Sequence, residues 1–249
     1  MVLKVLEPMW TAKPETATRV RARIEAVLDW ATARGHRTGE NPARWRGHLD
    51  KLLPALKKKA RVKHHPALPY DNVPVFLQEL RKEVGNAARA LELTILTCTR
   101  TGEVIGATAD EFDLRKRVWT IPASRMKAGK EHQVPLSPRV VEIIRAQPAS
   151  GYVFPGLKER QALSNMAMLA LLKRMDRAAI TVHGFRSSFR DWAAEKTTHP
   201  NHVVEKALAH EIGNAVEAAY RRGDLLQKRA QLMLDWAQFC EGRSSRSSQ

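Results

Sequence analysis

The sequence predicts a mainly α fold carrying a small antiparallel β-sheet at one side. Apolar residues recur at helical spacing near the N-terminus and again from Phe76 onward. Between Phe112 and Leu136 the period changes to alternation, with two strand-like runs around a glycine-containing turn. From His183 to Cys240 helical spacing returns.

The elements follow in order. Pro14 suits a first helical turn, Val20, Ile24, Val27, Leu28 and Ala31 continue it, and Gly35 is a natural stop. Asn41-Pro42 reads as the cap and first turn of a second helix, with Trp45, Leu49 and Leu52 on one face and Pro54 closing it. Two short helices bury little, so residues 1–56 form a partial helical domain too small to be stable alone. Lys57 to Lys63 is a basic run without apolar periodicity, followed by His64-His65-Pro66 and Pro69. Residues 57–71 therefore read as a basic interdomain linker, either solvated surface or a track along phosphates. The larger domain spans 72–240. In it Phe76, Leu77 and Leu80 open a helix after Pro74, and Ala87 to Leu96 form a more buried one, with Cys98 in the core. Val118–Ile121 and Gln133–Leu136 are strands around an Ala128-Gly129-Lys130 turn, and Tyr152–Pro155 is another short strand. Ser164 caps a helix over Asn165–Met175. Leu226, Ala230, Met233, Leu234 and Ala237 form the apolar stripe of a last helix, and residues 241–249 a disordered tail.

Among 249 residues, 42 Lys and Arg stand against 26 Asp and Glu, a net charge of +16. Such an excess favours a polyanionic partner, nucleic acid first and an anionic membrane surface second. No run approaches the roughly 18 apolar residues of a membrane span. Met1 to Trp10 lack the basic-then-apolar layout of a signal peptide. Two cysteines, Cys98 and Cys240, make neither a disulfide framework nor a metal cluster. A reducing, cytoplasmic setting is expected.

Three stretches carry candidate chemistry. Arg100 and Glu103 lie three apart, which on a helix puts them on one face. His183 and Arg186 are also three apart, near a helix start, where an imidazole, a guanidinium and free backbone N–H groups suit an anion. His210 precedes Tyr220 by ten residues. Each alone has an ordinary explanation: a surface pair, an exposed helix start, a boundary tyrosine.

In order, Arg100, a hairpin lysine, His183-x-x-Arg186, His210 and Tyr220 resemble the tyrosine recombinase (phage integrase) family. Thr99-Arg100-Thr101-Gly102-Glu103-Val104, Met126-Lys127, the run from His183 to Glu195, Leu208-Ala209-His210 and Ala219-Tyr220-Arg221-Arg222-Gly223-Asp224 are similar to its P4-type integrase branch. The resemblance covers residues 10 to 240 and implies a tyrosine recombinase catalytic domain preceded by a partial helical core-binding domain, the two clamping DNA. It implies a site-specific recombinase that breaks and rejoins double-stranded DNA through a 3′-phosphotyrosyl bond, with no metal, cofactor or ATP. Tyr220 would be the nucleophile, and Arg100 and Arg186 would clamp the phosphate. Lys127 would be the general acid, with Lys130 its rival in the same hairpin. His183 would manage the tyrosine proton, His210 would donate to the phosphate, and Glu103 would orient its neighbours. A homo-tetramer on DNA is expected, with the C-terminal helix contacting neighbouring protomers.

Two departures from the branch stand out. Its N-terminal arm-binding domain is expected to be absent, and its core-binding domain incomplete. Ala109 stands where the branch generally has tryptophan, which would leave a cavity beside the Arg100 helix. Two other readings share the motifs: a decayed, noncatalytic DNA-binding remnant of a mobile element, and a relaxing enzyme like the type IB topoisomerases.

Overall fold

A computed structural model describes residues 1–56, 66–158, 160–210 and 224–242. The basic run at 57–63, His64-His65, Tyr220 and the tail from Arg243 lie outside the described residues. The chain forms two compact units, Met1–Lys63 and His64–Gln249.

The first unit is built on α1 (Val2–Trp10) and α2 (Pro14–Ala33), with Pro14 in the first turn of α2. Helix α1 was not expected, although Leu3, Leu6 and Trp10 follow helical spacing. Its core is Leu6, Trp10, Ala17, Leu49 and Leu53. The Trp10 ring stacks on Trp45 at 5.3 Å, and its Nε1–H donates to the Pro54 carbonyl at 2.8 Å. The stripe expected on α2 is only partly used: Val20, Ile24, Leu28 and Ala31 are half-buried, Val27 is 64% exposed, and the buried residue is Ala17. The second helix is broken rather than continuous. Arg46 is extended and Gly47 is left-handed (φ +73), so 45–52 makes a kinked turn. Asn41 does not cap that helix. Its carboxamide oxygen accepts the Ala43 N–H at 2.9 Å, and its NH₂ donates to the Glu25 carbonyl on α2 at 2.8 Å. That is an Asx turn docked on α2.

The second unit opens with α3 (Val73–Lys82) and α4 (Asn86–Thr97). From Ala90 to Thr97 every residue of α4 is buried, which makes it the central element. A short α5 (Thr101–Ile105) leads to the sheet: β1 (Phe112–Asp113), β2 (Val118–Ile121) and β3 (His132–Pro135), antiparallel in that order. Trp119 pairs with Val134 and Ile121 with His132, so the inner face follows the alternation. Then come α6 (Pro138–Arg145), α7 (Ala167–Arg174), α8 (Gly184–Lys196), α9 (Asn201–Ala207) and α10 (Leu226–Cys240).

Glu92, fully buried on α4, ties three helices together. It receives Arg81 of α3 at 2.7 Å, Arg89 of α4 at 3.1 Å and Arg139 of α6 at 2.8 Å. Burial pushes its carboxyl upward, but Arg139 and Arg81 outweigh that and hold it below the usual carboxylate range.

Three local expectations are corrected. Tyr152–Pro155 is not a strand: it makes only isolated bridges, Thr108 with Tyr152 and Pro155 with Ala162. Proline has no N–H to extend the ladder. Helix α7 begins at Ala167, and Ser164 closes the turn before it by accepting the Met166 N–H at 3.3 Å. On α10 the buried face is Arg229, Leu232, Met233, Trp236, Ala237 and Cys240, while Ala230 is exposed. The face turns because Trp236 enters the core, where its indole N–H donates to the Ile95 carbonyl at 2.8 Å and its ring meets Phe189 at 5.4 Å. Ala109 is half-buried, so the position is not enclosed by core.

Trp236→Ala is expected to destabilise the chain by about 3–5 kcal/mol, because no neighbour can refill an indole-sized void. Urea denaturation of both proteins measures it, and a loss under about 1 kcal/mol would mean that α10 repacks.

Candidate active site

The site grows from two helix ends. Helix α4 ends where Cys98 turns left-handed (φ +55), and α9 ends where Ala209 does the same (φ +48). At the second end the Ala209 N–H donates to the Lys206 carbonyl at 3.1 Å and the His210 N–H to the Glu205 carbonyl at 3.0 Å, a Schellman closure. Both ends present carbonyls that carry the negative pole of a helix dipole.

Two guanidiniums take those carbonyls. Arg186, in the first turn of α8, is 5% exposed. It donates to the Cys98 carbonyl and to the Leu208 carbonyl at 2.6 Å. Arg100 donates through Nη2 to the next carbonyl, Ala209, at 3.2 Å. Arg100 and Glu103 do pair, but not on one helix face. Arg100 is extended and caps α5, so the Glu103 carboxylate accepts its backbone N–H at 2.7 Å and its Nη1 at 2.8 Å. Burial and the charge of Arg100 both push the Arg186 guanidinium below its usual range. Its Nε is buried without a hydrogen-bond partner among the described residues. An anion at this place would relieve both the repulsion and the missing bond.

His210 completes the cluster. Its Nε2 lies 2.9 Å from Arg186 Nη2, and its Nδ1 lies 2.6 Å from Glu205, which also pairs with Arg190 at 2.8 Å. An arginine only donates, so Nε2 accepts from Arg186 and the Nδ1–H donates to Glu205. His183 is the exposed N-cap residue of α8, one turn before Arg186. Lys127 and Lys130 are both exposed on the hairpin between β2 and β3, where the Gly129 N–H donates to the Met126 carbonyl at 3.0 Å. The structure thus brings Arg100, Arg186 and His210 together. It places His183 on the same helix end as Arg186 and leaves the lysines on their hairpin. Tyr220 lies outside the described residues.

Close packing fixes α8. A Cβ on Gly184 would lie 2.3 Å from the Pro66 carbonyl, so only glycine lets that segment pass. Thr181 N–H donates to Pro66 at 3.1 Å, and the Ser188 hydroxyl donates to the Leu68 carbonyl. Sequence reasoning missed Arg229 and His132 near the cluster. Arg229 is fully buried on α10 and donates to the Gln133 carbonyl on β3, to the Asp224 carbonyl at 2.9 Å and to the Asp224 carboxylate. Its signal was a charge in helical phase with Leu232, Met233 and Trp236. His132 is 6% exposed at the start of β3, and its signal was its alternation with Val134. Burial first, then the Arg229 charge, push its pKa down to about 4.

Comparison with known proteins places the chain among integrases. A model described as "Phage integrase family" matches residues 67–225, and one described as "Phage integrase central domain" matches residues 1–48. Prophage integrase IntA of Escherichia coli (strain K12) is 32% identical over 94% of this chain and 56% of its own length. The integrase of Enterobacteria phage P4 is 29% identical over 93% of this chain and 56% of its own length. The chain thus spans just over half the length of these curated relatives. Among solved structures, the integrase from mycobacterium phage Brujita matches with a TM-score of 0.55 and 22% identity, covering 94% of this chain and 77% of that one. A lambda integrase dimer bound to a COC′ core site matches with a TM-score of 0.60 and 18% identity, covering 90% and 63%. These two likenesses show a shared fold.

His132 makes stability depend on pH. Its ordinary value is 6.5 and its folded value about 4. Below pH 6.5 the unfolded chain binds a proton that the folded chain refuses until about pH 4. The stability due to neutral His132 is therefore complete above pH 6.5 and lost as the pH falls through that window. His132→Gln is expected to flatten the fall in unfolding free energy over this range, as read by urea titrations at several pH values. Parallel curves would show that His132 does not titrate in this way.

Proposed function

The chain belongs to the phage integrase family, and from that premise we propose that it is a site-specific DNA recombinase acting through a 3′-phosphotyrosyl intermediate. The observation that carries the reading is the pairing of Arg100 and Arg186 on the consecutive carbonyls of Leu208 and Ala209, with His210 against Arg186. Planar, permanently charged donors fixed on one side by helix-end carbonyls keep their other N–H groups for a phosphate.

Tyr220 Oη attacks the scissile phosphorus, and its proton passes to His183. The P–O5′ bond breaks, and the departing 5′-oxygen takes a proton from Lys127. Arg100 and Arg186 hold the two nonbridging oxygens as their negative charge grows. His210 stands beside them against Arg186, oriented through Nδ1 by Glu205, to donate to the phosphate. The phosphotyrosyl bond conserves the energy of the broken diester, so a 5′-hydroxyl from a partner strand reverses the step and ATP is not needed. The two arginines and Lys127 supply the charge stabilisation for which other phosphoryl-transfer sites use a metal.

The substrate class is double-stranded DNA, which the net charge of +16 favours. Protomers assemble as a homo-tetramer on paired sites, in the cytoplasm, with the exposed side of α10 at Gln227, Lys228 and Gln231 available to a neighbour. Among the described residues no helix is long and apolar enough to cross a membrane. The catalytic domain occupies 72–240, preceded by a core-binding domain at 1–56 and the linker between them.

A nicked suicide DNA carrying the element's attachment core tests the reading on a denaturing gel. A protease-sensitive covalent adduct is expected for the wild type and none for Tyr220→Phe. Arg186→Ala should slow adduct formation by about 100-fold or more. Salt-sensitive DNA binding without any adduct would favour a noncatalytic DNA-binding remnant instead.

A further inference from the structure

Lys127, read above as the general acid, stands two residues beyond a side chain with a different task. We propose that Arg125 is the positioning residue for Lys127. It locks the base of the lysine hairpin onto the helix capped by Arg100, and so fixes where the acid meets the departing 5′-oxygen. This inference rests on the reading of Lys127 as the acid.

Arg125 ends a short 3₁₀ turn, Ala123–Arg125, that follows β2. Its Nη1 donates to the Glu103 carbonyl at 3.0 Å, and its Nη2 to the Glu111 carboxylate at 2.6 Å. The first bond fills a gap in α5. The N–H of Ala107, four residues after Glu103, goes to Val104 instead at 3.2 Å. The Glu103 carbonyl is thereby left for Arg125, which caps the helix from outside. Glu103 thus faces both ways: its carboxylate holds Arg100 and its carbonyl holds Arg125. The second bond is fixed in turn, because the same Glu111 oxygen accepts the Trp119 indole N–H at 2.8 Å from β2.

The fit leaves little freedom. A Cβ on Gly106 would lie 2.6 Å from Arg125 Nη1, the far end of a flexible side chain, so an alanine there would push the guanidinium aside. Met126, next in the chain, is buried, and Lys127 after it is exposed. The chain therefore passes from a doubly anchored guanidinium to a solvent-facing amine within two residues. An error at Arg125 is carried directly to the acid, whereas Arg100 and Arg186 keep their own anchors on the Leu208 and Ala209 carbonyls.

The test replaces the scissile 5′-oxygen of the suicide DNA with sulfur. A thiolate leaves without a proton, so a defect in proton delivery disappears on this substrate and other defects do not. Arg125→Ala, Arg125→Lys and Gly106→Ala are compared with Lys127→Ala and Arg186→Ala, each checked for folding by circular dichroism and for DNA binding. Gly106→Ala keeps the arginine at 125 and only displaces its guanidinium, so it stands even if Arg125→Ala does not fold. On the oxygen substrate all five are expected to cleave at least about tenfold slower than wild type, with about 10⁴-fold as the ceiling for the variants that act through the general acid. On the sulfur substrate Lys127→Ala, the Arg125 variants and Gly106→Ala should return close to the wild-type rate, and Arg186→Ala should stay slow. Rescue of Lys127→Ala without rescue of Arg125 and Gly106 variants would overturn the positioning role and leave the acid assignment standing. Absence of rescue for Lys127→Ala would overturn the acid assignment itself, and the inference with it. Wild-type cleavage of the oxygen substrate by Arg125→Ala and Gly106→Ala would also overturn the inference.

Discussion

A buried guanidinium held by main-chain carbonyls is the constraint on which the second unit turns. Arg186 is 5% exposed, and burying such a charge without compensation costs far more than a folded domain can spare. The compensation comes from two helix ends, at Cys98 and Leu208, that aim carbonyl dipoles at it. Both ends turn left-handed at a residue other than glycine, at Cys98 and Ala209. Such turns are disfavoured by about 1–2 kcal/mol each, so their presence here reflects what they expose. The fold accepts two strained turns and obtains carbonyls pointing where the cation lies.

The same logic extends outward through carboxylates. Glu103 spends its side chain on Arg100 and its carbonyl on Arg125, linking a helix cap to a hairpin. Glu205 links Arg190 to His210 and sets the tautomer of the imidazole. Glu92 sits at the centre of three arginines from three helices, with none of its surface exposed. At Glu103 and Glu92 a buried acid has donors that offset its desolvation, and removing one donor would leave a charge uncompensated. A protein carrying +16 thus uses some of its excess arginine internally, around a few acids.

How far the fold was legible varies with the kind of signal. Helix α4 and the two long strands stood out, because burial on one or two faces imposes a period that composition records. The helix expected after Asn41 failed because Gly47 takes a left-handed conformation that interrupts it, and glycine alone does not say which conformation it will choose. The stripe on α10 was read one step out of phase, since a charged residue, Arg229, occupies an inward position that apolar patterning cannot flag. The candidate site shows the same division. Arg100, Arg186 and His210 were singled out from sequence and lie together, while His132, Arg229 and Arg125 were not, because their partners are carbonyls and buried neighbours.

The sequence by itself determined which residue types exist, in what order and with what period. That was enough for the fold class, the family, and a set of candidates in Arg100, Lys127, His183, Arg186, His210 and Tyr220, because those side chains have chemistry that few others can replace. Only the tertiary structure decided what holds them: that Arg186 reaches back 88 positions to Cys98, that Arg100 crosses 109 to Ala209, and that Arg125 closes α5 from 22 away. The physical reason is that the acceptors are backbone carbonyls. Every residue carries one, so no pattern of side chains records which of them will be left unpaired and turned toward a cation until the helices have ended and packed.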